Sequence, residues 1–240
     1  MNATRRVLVI GGSRGTGLLI AHLLLRAGNA VRVLARNPAN ARPGLDPAIE
    51  IVQGDLRKPD TLRNAMNGIT DVIVSAGVRS GRPAREARIK ATEYDGILNT
   101  LAAATGARLP GRIMYMTSSG AATGSFWAFA LNLYKGNTLI WRHRAEDAIR
   151  ASGLTYTIIR AGVLLNRPAG THAIEVTQRA LPLSPRFRIG RGDVAEAFVA
   201  ALDHPRTACA TFEVIWKRGV RQEPWAKLLD AVKPDRTHRP

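Results

Sequence analysis

The chain has 240 residues, 45% hydrophobic and 22% charged, with one cysteine. This suits one globular domain. It excludes a disordered or collagen-like chain, an internal disulfide framework and a cysteine-based zinc site. The formal net charge is +17, from 35 basic and 18 acidic residues, so either a polyanion binds the chain or its surface is a solvated basic one.

Val7–Ile10 reads as a first strand and Gly17–Ala27 as a helix ended by Gly28. Val31–Ala35 and Ile49–Val52 read as strands, Pro59–Met66 as a short helix and Val72–Ser75 as a fourth strand. Ala84–Thr105 reads as one long helix closed by Gly106, and Ile113–Met116 as a fifth strand. Leu139–Ala151 reads as a helix, Thr155–Ile159 as a sixth strand and Asp193–Leu202 as a helix. Phe212–Ile215 is the last strand and Trp225–Val232 the last helix. Such alternation predicts an α/β fold, a Rossmann-like doubly wound parallel sheet with helices on both faces. The stretch 164–190, with Pro168, Pro182 and Pro185, is expected to be an irregular, small C-terminal substrate-covering region. The expected organisation is one domain over 1–232 and a frayed tail over 233–240.

The first strand runs into Gly11-Gly12-Ser13-Arg14-Gly15-Thr16-Gly17 and then a helix. The spacing of Gly11, Gly15 and Gly17 allows a tight turn, close backbone approach to a pyrophosphate, and close helix–strand packing. The helix start offers free N–H groups and a positive dipole end to the phosphates. NAD enzymes tend to carry an acid after the second strand. Here the chain reads Ala35-Arg36-Asn37, with no acid before Asp46. Arg36, with Arg14 in the loop, suits a 2′-phosphate, which favours NADP (NADPH) over NAD.

These residues belong to a wider pattern. Gly54-Asp55-Leu56 follows the third strand, Asp71 to Gly77 spans the fourth, and Tyr94-Asp95-Gly96 lies in the long helix. Tyr115 to Gly120, Ala145-Glu146, Ser152 to Arg160 and Arg191-Gly192-Asp193-Val194-Ala195 follow in order. From Val7 to about Trp216 the chain resembles a short-chain dehydrogenase/reductase, in the atypical NAD(P)-binding group related to NmrA-like proteins. The resemblance implies that Asp55 and Leu56 flank the adenine, Asp55 accepting from its amine. It implies that Ser75, Ala76 and Gly77 line the ribose and the path to the nicotinamide. Thr117 and Ser118 would sit beside the nicotinamide.

The tyrosine-dependent members use Tyr-x-x-x-Lys, in which Lys lowers the phenol pKa for proton transfer. Here Tyr134 is followed four residues later by Thr138. Counting back from Glu146 instead puts Thr138 and Arg142 at the Tyr and Lys places, and arginine does not readily lose a proton. The first reading is therefore an NADP(H)-dependent oxidoreductase without that dyad, passing hydride to a small carbonyl, quinone or flavin-like acceptor. Its candidate catalytic residues are Ser118, Tyr134 and Lys135. The alternative is a non-catalytic NADP(H)-binding sensor or partner-binding protein. A third, a nucleic-acid-associated protein, rests on charge alone and would show steeply salt-dependent binding.

Residues 1–120 hold 17 basic and 8 acidic residues, and 121–240 hold 18 and 10. The charge is spread without a block, so nucleic acid is not expected as a partner. Arg79, Arg82, Arg85, Arg88 and Lys90 could form a basic cleft mouth for an anionic small substrate, or a solvated face. Arg142, Arg144, Arg186, Arg188 and Arg191 could join that rim. Phe126, Trp127, Phe129, Leu131 and Leu133 are expected to be core, or else to cover the nicotinamide or face a second subunit. Cys209 is expected to be a buried small hydrophobe. The five histidines lack ligand spacing, so no metal is assigned; His143 is a minor acid/base candidate. The apolar run after Arg5 and Arg6 is too short for a signal peptide. The uncharged stretch Ile113–Tyr134 is interrupted by polar residues and glycines. A cytoplasmic monomer or homodimer with no membrane partner is the expectation.

Overall fold

The computed structural model describes residues 5–78, 85–221 and 223–235. The chain opens with β1 (Arg6–Ile10), α1 (Gly15–Arg26), β2 (Ala30–Ala35), α2 (Pro38–Ala41), β3 (Glu50–Gln53), α3 (Pro59–Ala65) and β4 (Asp71–Val74). Next come α4 (Glu86–Glu93), α5 (Asp95–Gly106), β5 (Ile113–Ser118), α6 (Phe126–Tyr134), α7 (Thr138–Arg150) and β6 (Tyr156–Ala161). Then follow β7 (Val163–Leu165), β8 (Ala173–Thr177), β9 (Arg188–Gly190), α8 (Arg191–Asp203), β10 (Ala210–Lys217) and α9 (Trp225–Leu229). The main sheet has the order β3-β2-β1-β4-β5-β6-β10-β8. All its pairings are parallel except that of β10 with β8.

Both faces of the sheet are covered, which is why its central strands read as unbroken apolar runs. Along β1 the pleat sends Val7 and Val9 to one core, with Ile20, Leu24 and Phe198. Leu8 and Ile10 go to the other, with Ile97, Leu101 and Ile149. The strand order reverses at β1 and β4, and ligands of open α/β sheets bind outside the carboxyl ends of strands at such a point.

Five local expectations change. The long helix is two: Tyr94 leaves helical geometry (φ −126°, ψ −65°), and α5 restarts beside it. Gly96 then lies directly under Leu56, where an added Cβ would be 1.8 Å from Leu56 Cδ1. The aromatic cluster is not core. It forms α6, capped by the Ser125 hydroxyl accepting from Ala128 N at 3.0 Å. Phe126, Phe129 and Leu133 are 75%, 69% and 78% exposed, because α6 packs on α7 rather than on the sheet.

The stretch 164–190 is not irregular throughout. β8 adds an antiparallel edge to the sheet, with Ile174 opposite Trp216, while β7 pairs with β9. The tail does not fray at residue 233. Asp235 accepts from the Tyr156 hydroxyl at 2.9 Å and from Thr211 N at 3.0 Å, fixing it to β6 and β10; residues 236–240 lie outside the described ones. Cys209 is half-buried rather than buried, with φ 52°. Among the described residues no helix is long and apolar enough to cross a membrane.

Candidate active site

The glycine loop closes onto the chain after β4. Gly11 has φ +89°, and a Cβ there would lie 2.7 Å from Ala76 N. At Gly17 a Cβ would lie 2.2 Å from Gly11 O and 2.3 Å from Ser75 Oγ. Only hydrogen fits at these positions, so α1 starts pressed against the ends of β1 and β4. Gly12 is buried against Val33. Gly15, with φ +58°, faces open space, the side from which a phosphate can reach the backbone. Ser13 is half-buried, and Thr16 is buried with its hydroxyl accepting from Arg191 Nη1 at 3.1 Å. α1 has no acid in its first turn, so the positive end of its dipole is not neutralised from within.

Arg14 and Arg36 are exposed, and neither makes an ion pair among the described residues. Arg36 follows β2, and Asp55 follows β3 alongside. Arg57 grips the Asp55 carboxylate, its Nε 3.0 Å from Oδ1 and its Nη2 2.5 Å from Oδ2. That hydrogen bonding holds the Asp55 carboxyl below its usual range, with a smaller pull from Arg36. Leu56 is buried in the core over Gly96. The Ser75 hydroxyl donates weakly to Ile10 O at 3.4 Å. Ala76 and Gly77 continue past β4, and a Cβ on Gly77 would sit 2.7 Å from Arg142 Nη2. The loop after β4 thus links the glycine loop to a pocket.

That pocket is a cavity of about 470 Å³ at the carboxyl ends of β5 and β6. This is within the range of about 300–1,000 Å³ usual for small-molecule sites. Its floor is Thr117, Ser118 and Gly162; Trp127, Lys135 and Arg142 come from α6, its end and α7; Leu183, Ser184 and Pro185 form the far wall. The wall is tied down by Glu213 of β10, which accepts from Leu181 N at 2.8 Å and from Ser119 Oγ at 2.6 Å. Thr117 lines the cavity, and its Oγ1 is buried with no hydrogen-bond partner among the described residues. The open backbone face at Gly15 and this cavity, at the carboxyl ends of neighbouring strands, fit a dinucleotide running from the glycine loop toward the cavity.

The structure brings Thr117, Ser118 and Lys135 together. Ser118 Oγ donates to Ser119 O at 3.1 Å. Burial lowers the Lys135 ammonium pKa and neighbouring Arg142 lowers it further. Tyr134 is not with them. It is the last residue of α6, 49% exposed and absent from the cavity lining, because the chain turns Lys135 inward at the next position. His143 faces Glu146 and Asp147 instead of the cavity. Arg79 and Arg82 lie outside the described residues. Arg85 and Arg88 are solvated, and Lys90 pairs with Asp95 at 2.6 Å. Among the described residues no cluster of His, Cys, Asp or Glu could hold a metal ion.

The Tyr and Lys places hold a different device. Glu93, fully buried at the end of α4, accepts from Arg142 Nε at 3.0 Å and Nη2 at 3.1 Å, from Val78 N at 3.1 Å and from the Thr138 hydroxyl. Burial disfavours both charges, yet Arg142 holds the Glu93 carboxyl low and Glu93 holds the Arg142 guanidinium high. Arg142 is therefore a fixed cation, not a proton donor. Glu93 was invisible as a site residue in the sequence, because only the packing of α4 on α7 brings it to Arg142. Its one signal is its place directly before Tyr94-Asp95-Gly96.

A family model described as NAD(P)H-binding matches residues 11–205. The chloroplastic protein TIC 62 of Pisum sativum is 29% identical over 257 residues, covering 98% of this chain and 47% of TIC 62. The chain thus spans about half the length of that relative. Sanguinarine reductase of Eschscholzia californica is 29% identical over 232 residues, covering 82% of this chain and 84% of the reductase. Among solved structures, the anaerobillin reductase ChuY of Escherichia coli O157:H7 shares the fold, with a TM-score of 0.74 at 20% identity over 91% of this chain and 99% of that one. With the glycine loop, the strand order and this match over most of its length, the chain belongs to the NAD(P)H-binding family of Rossmann-fold, atypical short-chain dehydrogenase/reductases.

Proposed function

We propose that the protein is an NADP(H)-dependent reductase that passes hydride to a small carbonyl, quinone or flavin-like acceptor in the cavity beside Thr117. The observation that carries this reading is the cavity itself. It is mostly apolar, lies at the carboxyl ends of β5 and β6, and is lined by Ser118 and Lys135 beside Thr117. The NADP preference is supported by Arg14 and Arg36, two exposed guanidinium groups flanking the loop with no acid at the end of β2. When bound, the nicotinamide supplies or accepts the hydride. The chain's own residues orient and protonate. Ser118 offers a hydroxyl at the floor. Lys135, with its lowered pKa, offers a proton or a counter-charge to an acceptor oxygen, and so favours an acceptor that is anionic or becomes so. Arg142, locked to Glu93, contributes field but no proton. The reductase name of the Eschscholzia relative supports this class of reaction.

A second reading, a dinucleotide-binding protein without turnover, is favoured by the missing dyad and by the locked Arg142. One experiment separates the two. Affinities for NADPH and NADH are measured first, then NADPH consumption against quinones, flavins and aldehydes. Tighter NADPH binding with consumption by any acceptor class supports the reductase. Tight binding with no acceptor reduced supports the sensor. Equal or better NADH binding overturns the NADP assignment.

A further inference from the structure

We infer that Arg191 is a phosphate ligand of the dinucleotide site, reaching from α8 to hold the pyrophosphate at the start of α1; this rests on the dinucleotide reading above. Arg191 is the first residue of α8, remote in sequence from the glycine loop. Its Nη1 lies 3.1 Å from Thr16 Oγ1 and its Nε 2.8 Å from Asn166 Oδ1. Both partners are neutral oxygens, and no carboxylate pairs with Arg191 among the described residues. Burial accordingly lowers its pKa with nothing to offset it. Arg142 and Arg160, also withdrawn from water, each have a glutamate. Arg112 lacks a direct one, but its Nη1 meets the oxygens of Thr157, Ala201 and Thr207, and the nearby Asp71 pulls its pKa up against burial.

Its placement is electrostatically unfavourable without an anion. The guanidinium sits at the positive end of α1, on Thr16, with no acid in the first turn. Guanidinium has five N–H groups in a planar fork, and two neutral contacts leave donors free. A pyrophosphate offers the matching charge and oxygens, and the Gly15 backbone leaves room beside it.

The residues after Arg191 hold it there. Gly192 presses against Pro168 and Ala169, where a Cβ would lie 2.4 Å from Ala169 N. Asp193 accepts from Gly170 N and from Trp216 Nε1, both at 2.8 Å. The Arg191-Gly192-Asp193 sequence therefore fixes one end of the guanidinium arm to the covering region, while the other end reaches the glycine loop.

The pyrophosphate is common to both dinucleotides, so Arg191 acts on both, unlike a reader of the 2′-phosphate. The test is the equilibrium affinity of the full chain for NADH and for NADPH, by calorimetry, in the wild type, Arg191→Met and Arg191→Lys. Arg191→Met is expected to weaken both by a similar factor, about ten- to one-hundred-fold. Arg191→Lys should fall between, since it keeps the charge and loses the fork. Inorganic pyrophosphate should compete with NADH in the wild type and much less in either variant. Unchanged affinities in folded variants, or a loss confined to NADPH, would overturn the role. Should Arg191→Met fail to fold, Arg191→Lys with the pyrophosphate competition decides the same point. A wild type that binds neither dinucleotide overturns the underlying reading instead, which is a distinct outcome.

Discussion

Glu93→Gln is the substitution that most directly tests how the site is held. All four hydrogen bonds to the Glu93 side chain are donated by its neighbours: Val78 N, Thr138 Oγ1 and two nitrogens of Arg142. An amide of the same shape must turn its NH₂ toward at least one donor and leaves Arg142 without its counter-charge. The Glu93 side chain is 0% exposed and that of Arg142 13%. Removing one partner of such a pair costs about 3–5 kcal/mol. For a chain of this length that is a fall in Tm of about 6–20 °C. The effect should appear in thermal and urea unfolding. It should be accompanied by weaker dinucleotide binding, because Val78 and Gly77 belong to the loop after β4. Glu93→Gln with Arg142→Met removes the stranded charge and should recover much of the stability. The carboxyl is held below its ordinary value, so its stabilisation is present above that value and lost as pH falls through the lowered one; the variant should have a flatter acid limb. A Tm loss below about 3 °C, or a double variant no better than the single one, would refute the reasoning.

Arg36→Asp should weaken NADPH binding by at least about tenfold, one lost charge-assisted contact, and leave NADH nearly unchanged in direct titrations. Lys135→Met should lower kcat and abolish an alkaline limb that lies below the usual lysine value of 10.5, while Tyr134→Phe should leave the pH–rate profile intact. Gly17→Ala should abolish dinucleotide binding or folding, since its methyl would lie 2.2 Å from Gly11 O, whereas Gly106→Ala meets nothing within 4 Å and should be tolerated; circular dichroism with titration separates them. Glu146 is buried and, against its burial, is pulled down to about 2 by His143 and Arg160. Its contribution is full above about pH 4.5 and drains away as pH falls toward 2, so Glu146→Gln should remove part of the acid unfolding transition.

Much of this was legible in the chain itself. Apolar runs such as Val72–Val74 marked the parallel strands because a sheet covered on both faces needs apolar side chains in both directions. Gly11, Gly15 and Gly17 marked the tight turn after β1, because close contacts at Gly11 and Gly17 admit no side chain and Gly15 takes a left-handed conformation that side chains disfavour. What misled was local composition read without its neighbours. Prolines around β8 hid the alternation of Ile174 and Val176 with Glu175 and Thr177, which becomes a strand only when β10 offers an edge. The apolar α6 looked like core, although no layer lies over it. Tyr134 looked catalytic by type, but its position at the end of α6 turns it to solvent and brings Lys135 inward.

By itself the sequence determined the parallel strands of the sheet and the tight glycine turn between β1 and α1, because these follow from periodicity and from steric rules acting over a few residues. Only the tertiary structure decided which charges stand together. Glu93 meets Arg142, Asp193 lies 3.9 Å from Arg221, and Arg191 reaches Thr16 across 175 positions of chain. Such pairs are set by how helices and loops pack at the carboxyl ends of the strands. No local pattern encodes that geometry, whereas burial and Coulomb attraction act on it directly.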